Sequence, residues 1–316
     1  MIVLNEEDVN QLISIRDVID RIESFYINED FSSMVLPERM FIHDEENTIL
    51  LAPSLYKNYY VTKLVGIAPG NVKLKEPTLK GMVYVSDRKT MEPLGFFDAR
   101  SITALRTGAV SGLSMKYLSD ENATRVGIIG TGVQGWSHLQ AACAVRPIED
   151  VYVYNRSTER MEQFIKRARA HFKNVNIRAT SVEKLVQQSD IIVTTTTSEK
   201  PVIPDDIPFD LAGKHIAASG AFKPSMQELP DFIIQKADHL VVDTHAAFTE
   251  CGEMMKAKSL GMTEETVLTL RDVVRSKENL YRSHELTVLK SVGQASFDIL
   301  TAELLYETYQ NQSQAK

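Results

Sequence analysis

Apolar and polar positions follow two different rhythms along the chain, and the rhythm changes near residue 120. Before that point, the spacing in "SIRDVIDRIESFYI" predicts a helix over 14–27. Four strand-like runs follow: "NTILLAP", "YYVTKLVGI", "KGMVYVSD" and "EPLGFFD". The polar connector "SDRKTMEP" joins the last two. Together they predict an antiparallel or mixed sheet. A helix over 101–118, "SITALRTGAVSGLSMKYL", closes it, with Ser101 as its N-cap and "SDEN" as its stop.

From Thr124 onward short β-runs alternate with helices. "RVGIIG", "DVYVYN", "SDIIVTTTT", "GKHIAAS" and "HLVVDT" read as strands; "VQGWSHLQAACAV" and "TERMEQFIKRARAHF" read as helices. That alternation predicts a parallel, doubly wound sheet. A long helix over 295–311 packs back on the first domain and makes it discontinuous. The expected fold class is α/β: a Rossmann-type doubly wound parallel sheet over 121–294, plus a smaller α+β domain from 1–120 and 295–316.

A chain of 316 residues with 43% apolar content has room for two cores. Its net charge of −7, with basic residues scattered rather than striped, argues against nucleic-acid and anionic-membrane partners. Cys143 and Cys251 lie outside any CxxC, and "MIVLNEEDVN" lacks the features of a signal peptide. A cytoplasmic protein with reduced thiols is expected. No HExxH, HxH or Cys/His cluster occurs, so no metal is expected.

The segment "VGIIGTGVQG" places Gly130, Gly132 and Gly135 as GxGxxG between an apolar strand and a helix. In that context the glycines give a tight turn, a close approach to a pyrophosphate and close helix–strand packing, and the helix start offers free N–H groups. Thr131, Val133 and Gln134 complete the loop, and Thr195 ends a neighbouring strand. At the end of the second strand "YNRSTER" puts Asn155 where an NAD site carries an acid, followed by Arg156, Ser157 and Arg160. Those groups suit a 2′-phosphate, so NADPH is favoured, with NADH as the alternative.

Three basic residues of the first domain stand out. Arg106 has Ile102, Thr103, Ala109 and Val110 at helical spacing, so its partner is either a distant chain segment or a substrate carboxylate. Arg39 follows a proline in "LPERM", and Lys63 interrupts the apolar strand "YYVTKLVGI". A lysine there either snorkels at an edge or is a desolvated amine with a lowered pKa.

These stretches resemble the ornithine cyclodeaminase/mu-crystallin family over nearly the whole chain. The resemblance rests on "PER", "TKLVGIAPGN", "ITALRTGAVSGLSMKYL", "VGIIGTGVQG", "KPSMQELP", "FTECGEM" and "LKSVGQASFD". It implies a homodimer in which the first domain binds substrate and dimerises while the Rossmann domain binds NAD(P). It further implies chemistry at the α-carbon of a small α-amino, α-imino or α-keto acid. By position Arg39, Lys63 and Arg106 match the family's basic residues around the substrate carboxylate and α-nitrogen. Ser291, Val292 and Gly293 would lie near the nicotinamide.

Two departures shape the expected activity. "ILLAPS" has no acid where true ornithine cyclodeaminases have one, so Leu50, Leu51 and Ala52 cannot bind a second amino group. "SGAFKPSMQEL" has Phe222 where the family's cyclodeaminases and alanine dehydrogenases carry an aspartate. Both changes make the pocket more apolar and fit a cyclic ketimine with one carboxylate. The expected enzyme is therefore an NAD(P)H-dependent reductase of proline metabolism that converts Δ1-pyrroline-2-carboxylate or Δ1-piperideine-2-carboxylate to L-proline or L-pipecolate. Arg106 and Arg39 would hold the carboxylate, and Phe222 would pack beside the ring. Lys63 would either protonate the imine nitrogen or orient an imine that arrives protonated, with Glu38, Glu250 or Asp298 as acids that could assist. The alternatives are ornithine cyclodeamination, an alanine- or opine-type dehydrogenase, and a non-catalytic, crystallin-like NADPH binder.

Overall fold

The computed structural model describes residues 1–314. The chain forms two compact units, Met1–Arg106 with Gln294–Lys316, and Thr107–Gly293. In the first unit the elements are β1 (Ile2–Leu4), α1 (Glu6–Leu12), α2 (Ile15–Asn28), β2 (Met34–Val35), β3 (Met40–Asp44), β4 (Asn47–Tyr56), β5 (Tyr59–Ile67), β6 (Leu79–Asp87) and β7 (Pro93–Asp98). The first turns of α3 (Ala99–Leu118) and all of α11 (Ala295–Gln314) complete it.

These strands make a mixed sheet in the order β1-β7-β6-β5-β4-β2, with β3 also paired to β4. β1 runs parallel to β7 and the other pairs are antiparallel. Alternation sends Ala52, Val61, Lys63, Val65, Val83 and Val85 to one buried face. Helices α2 and α11 pack together, and α11 lies across β4 and β5. On the opposite face Met40, Ile42, Ile49 and Leu64 are each more than 40% exposed. Leu51 and Met82 lie on the same face, opposite Leu64 on the flanking strands.

Caps set the helix starts. Ser14 and Asp17 form a capping box at α2, and Asn5 and Asp8 form one at α1, a helix absent from the sequence-based expectation. Ser101 is not the cap of α3. The helix begins two residues earlier, at Ala99, and Asp98 Oδ1 accepts from Ser101 N at 2.7 Å and Ser101 Oγ at 2.6 Å. Asp98 thus ends a strand and caps a helix, a cap worth ~1 kcal/mol. Strand β3 also escaped sequence analysis. Its turn to β4 contains no glycine; Glu45 itself takes the left-handed conformation, at φ 53°.

After α3 the second unit contains β8 (Arg125–Ile129), α4 (Val133–Val145), β9 (Asp150–Tyr154), α5 (Thr158–His171), β10 (Asn176–Ala179), α6 (Val182–Gln188), β11 (Ile191–Thr194) and β12 (His215–Ala218). Then come α7 (Asp231–Lys236), β13 (His239–Val242), α8 (Ala247–Glu250), α9 (Gly252–Ser259), β14 (Leu268–Thr269), α10 (Leu270–Ser276) and β15 (Thr287–Lys290). All eight strands are parallel, in the order β10-β9-β8-β11-β12-β15-β13-β14. Successive strand residues feed two cores: Val126, Ile128, Val151 and Val193 join one, Ile129, Tyr152, Ile192 and Ile216 the other. A parallel sheet covered on both faces is the outcome. The order reverses between β8 and β11, the topological switch point at which such sheets take ligands. Among the described residues no helix is long and apolar enough to cross a membrane.

Candidate active site

The glycine loop follows β8, beside the switch point. Gly130 has φ 104°, and a Cβ there would meet Thr195 O at 2.8 Å. A Cβ on Gly135 would lie 2.0 Å from Gly130 O, so only glycine lets α4 start this close. Around Gly132 nothing lies within 4 Å of an added Cβ. The helix behind it, α4, has no side-chain cap, and Thr131 Oγ1 is buried without a hydrogen-bond partner. Free N–H groups, open space and an orphaned hydroxyl at one loop fit a dinucleotide pyrophosphate.

Neighbouring strand ends organise the loop. Thr195 Oγ1 donates to Gly130 O at 3.1 Å. Asn155 Oδ1 accepts from Thr131 N at 3.3 Å, and its Nδ2 donates to Ser157 O at 3.1 Å. Ser157 Oγ accepts from Arg160 N at 3.3 Å as the cap of α5, so that hydroxyl is already engaged. Arg156 and Arg160 are exposed, as is Val133. Gln134 O accepts from Ser137 Oγ at 3.0 Å.

Two further loops of this unit are clamped by buried carboxylates. Asp243 Oδ2 accepts from Ser291 Oγ at 2.7 Å, Val292 N at 3.1 Å and Gly293 N at 2.7 Å. Glu228, fully buried, accepts from Thr194 Oγ1, Thr196 N, Gly220 N and Ala221 N. Glu253 Oε1 in turn accepts from Glu228 N and Leu229 N, while Oε2 pairs with Lys290 Nζ at 2.6 Å. Burial pushes the Glu228 carboxyl up despite Lys290. It also pulls on Lys290, yet the surrounding anions, Glu253 first, outweigh it and raise that ammonium. Phe222 follows the clamped turn and is 42% exposed, with Lys223 Nζ 5.8 Å from its ring centre.

In the first unit β5, α3 and α11 bring three charged side chains together. Lys63 Nζ donates to Asp298 Oδ2 at 2.7 Å, and Arg106 Nε lies 3.3 Å from Asp298 Oδ1. The side chains are 6%, 3% and 11% exposed for Lys63, Asp298 and Arg106. Burial holds the Lys63 ammonium below its ordinary range; Asp298 opposes that, and Arg106 and Arg39 reinforce it. Arg39 is half-buried, its guanidinium 5.9 Å from the Phe41 ring centre. Across the strand pairs Lys63 faces Ala52 and Val83. Leu50 shares the face of Lys63; Leu51 points to the opposite, open face, because side chains alternate along β4.

The structure thus places Arg39, Lys63 and Arg106 in one unit. Phe222, the glycine loop, Asn155 to Arg160, Thr195 and Ser291 to Gly293 belong to the other. Arg106 has its anion in a distant chain segment, Asp298. Sequence reasoning passed over Asp243, Glu228, Glu253 and Lys290. Their one signal was charge inside otherwise apolar stretches such as "TVLKSVG".

The family model for the ornithine cyclodeaminase/mu-crystallin family matches residues 1–313. The chain belongs to this family. It is 33% identical to a Δ1-pyrroline-2-carboxylate reductase from Bacillus thuringiensis subsp. konkukian, over 97% of this chain and 96% of that one. Among solved structures, it superposes on Thermococcus litoralis Δ1-pyrroline-2-carboxylate reductase, which was solved with NADH and L-proline. The TM-score is 0.91 at 30% identity, covering 99% and 98% of the two chains. An archaeal alanine dehydrogenase dimer with bound NAD gives a TM-score of 0.88 at 28% identity, covering 99% of this chain and 97% of the other.

Proposed function

We propose that the chain is an NAD(P)H-dependent reductase of cyclic ketimines, converting Δ1-pyrroline-2-carboxylate or Δ1-piperideine-2-carboxylate to L-proline or L-pipecolate. The observation that carries this reading is the buried cationic cluster in a chain so similar to pyrroline-2-carboxylate reductases. Lys63 and Arg106 share one carboxylate, Asp298, the charge of Arg39 also acts on Lys63, and Leu50 and Ala52 on the same face are apolar. Such a site takes one substrate carboxylate and offers no second acid to a diamine.

In this reading residues 1–120 and 295–316 hold the substrate, and 121–294 hold the dinucleotide. A reduced nicotinamide, when bound, supplies hydride to the C=N carbon. Gly130 to Gly135 receive the pyrophosphate on the N–H groups of α4. Ser291 to Gly293, fixed by Asp243, and Thr195 line the nicotinamide side. The guanidinium of Arg106, with Arg39, holds the substrate carboxylate through paired N–H groups. Lys63 donates a proton to the ring nitrogen as the C=N bond is reduced, then regains one from solvent; its lowered pKa eases that donation. Asn155 leaves the ribose end without an acid, and Arg156 and Arg160 supply charge for a 2′-phosphate, which favours NADPH while allowing NADH.

The open apolar sheet face supports a homodimer. A one-layer sheet showing Met40, Ile42, Ile49 and Leu64 to water is stabilised by a second copy laid over it. The deciding assay mixes purified protein with NADPH or NADH and Δ1-pyrroline-2-carboxylate and follows absorbance loss. Rapid loss, with ornithine and NAD yielding neither ammonia nor proline, is the expected result. Ornithine turnover without imine reduction would overturn the reading.

A further inference from the structure

We propose that Asp298 is the positioning residue of the substrate-side cluster: it keeps Lys63 in the ammonium form and fixes Arg106 by the Nε edge of its guanidinium. The inference rests on the ketimine reductase reading for its kinetic consequences, and on geometry alone for its electrostatic ones.

Asp298 divides its two oxygens between two chain segments. Oδ2 accepts from Lys63 Nζ at 2.7 Å, a short charge-assisted bond, and Oδ1 stands 3.3 Å from Arg106 Nε. Arg106 Nε and Asp298 Oδ1 are buried without a hydrogen bond, so the tight partner is Lys63 and the looser one Arg106. Pairing at Nε leaves the terminal nitrogens of Arg106 for a planar carboxylate. The strand neighbours of Lys63 are Ala52 and Val83, which carry no charge. The groups acting on it are therefore Asp298 from α11, Arg106 from α3 and Arg39 from the segment before β3. One of the three is an anion. Remove it, and a buried amine loses the anion that favours its proton, while Arg106 and Arg39 still disfavour it.

That arrangement separates positioning from mere support. With Asp298→Asn the shape stays and the charge goes. Lys63 loses its proton at lower pH, so the basic limb of the kcat/KM profile moves down by about one to two pH units. At acid pH, where Lys63 is protonated in both proteins, kcat returns to near the wild-type value. Asp298→Glu restores most of the shift. A structural role would lower kcat equally at every pH.

The experiment has two arms. In substrate-free protein carrying 13C- and 15N-labelled lysine, the Lys63 signal is assigned by its absence in Lys63→Met and titrated in wild type and in Asp298→Asn. In parallel, the pH profile is measured with Δ1-pyrroline-2-carboxylate. A downward shift in both arms supports the inference; an unmoved Lys63 titration overturns it. Should wild type fail to reduce the imine, the functional reading falls while the titration still decides the role of Asp298. Should Asp298→Asn not fold, Arg39→Gln serves: it removes a cation, so the Lys63 titration must move up, and an unchanged one refutes the account.

Discussion

Two buried lysines, one in each unit, make near-identical ion pairs and have opposite proton affinities. Lys63 lies 2.7 Å from Asp298 and its ammonium is destabilised; Lys290 lies 2.6 Å from Glu253 and its ammonium is favoured. The pair distance therefore does not decide the matter; the next neighbours do. Lys290 has a second carboxylate nearby, Glu228, and both acids are further tied to backbone N–H groups. That cluster is closed on itself and needs no ligand. Around Lys63 a single carboxylate favours the proton, while the charges of two guanidinium groups, Arg106 and Arg39, disfavour it. In the proposed function a substrate carboxylate would face these cations, whereas the closed cluster holds loops in place.

Substituting each lysine breaks the comparison most directly. Lys63→Met removes the proposed proton donor and is expected to lower kcat by about 10²- to 10⁴-fold. Its melting temperature should stay close to wild type, because Asp298 keeps Arg106. Lys290→Met strands Glu253 in a fully buried setting, at a cost of about 3–5 kcal/mol. For a domain of this size that is a fall of roughly 6–20 °C in melting temperature. Calorimetry together with steady-state rates on both variants separates the two. If Lys63→Met unfolds and Lys290→Met does not, the roles assigned here are reversed.

The comparison also shows what the linear sequence can carry. The glycine loop is local: ten consecutive residues hold the turn, the open position and the helix start. Arg106 announced itself by what its own helix lacks, again a local signal. Its anion lies on α11, and Asp298 is 235 residues from Lys63; nothing in local spacing links them. Lys290 was missed for a topological reason. Its strand, the last in the chain, inserts between β12 and β13, so the meeting with Glu253 depends on strand order rather than on any motif. The open sheet face stayed hidden because β3 was unseen, its turn made by Glu45 in place of glycine.

A third buried base sharpens the point through pH. His215 is fully buried in β12, its Nδ1 2.9 Å from Thr287 Oγ1 and its Nε2 3.0 Å from Ser114 Oγ. Burial first, and then the charge of Arg146, hold its pKa down at about 3, against 6.5 for a free imidazole. Because the folded value is depressed, the unfolded chain binds the extra proton. Stability is complete above pH 6.5 and is lost as pH falls toward 3, with a slope approaching ~1.4 kcal/mol per pH unit. Urea unfolding of wild type and His215→Asn between pH 7 and 4.5 tests this. The variant should show a shallower slope by nearly one proton; equal slopes would mean His215 is not the group responsible.

The smallest expected effect concerns a cation with neither a closed nor a half-closed environment. Arg156 is exposed after Asn155, on the loop where an acid would select the ribose hydroxyl. Solvent screens its charge, so its attraction for a 2′-phosphate is worth only about fivefold in affinity. Arg156→Ser should raise KM for NADPH by about that factor and leave KM for NADH unchanged. The NADPH effect should fade as ionic strength rises, since the Debye length shrinks to about 3 Å in 1 M salt. Equal changes for both cofactors would assign Arg156 to shaping the loop rather than to reading the phosphate, and Arg160 would be the next residue to substitute.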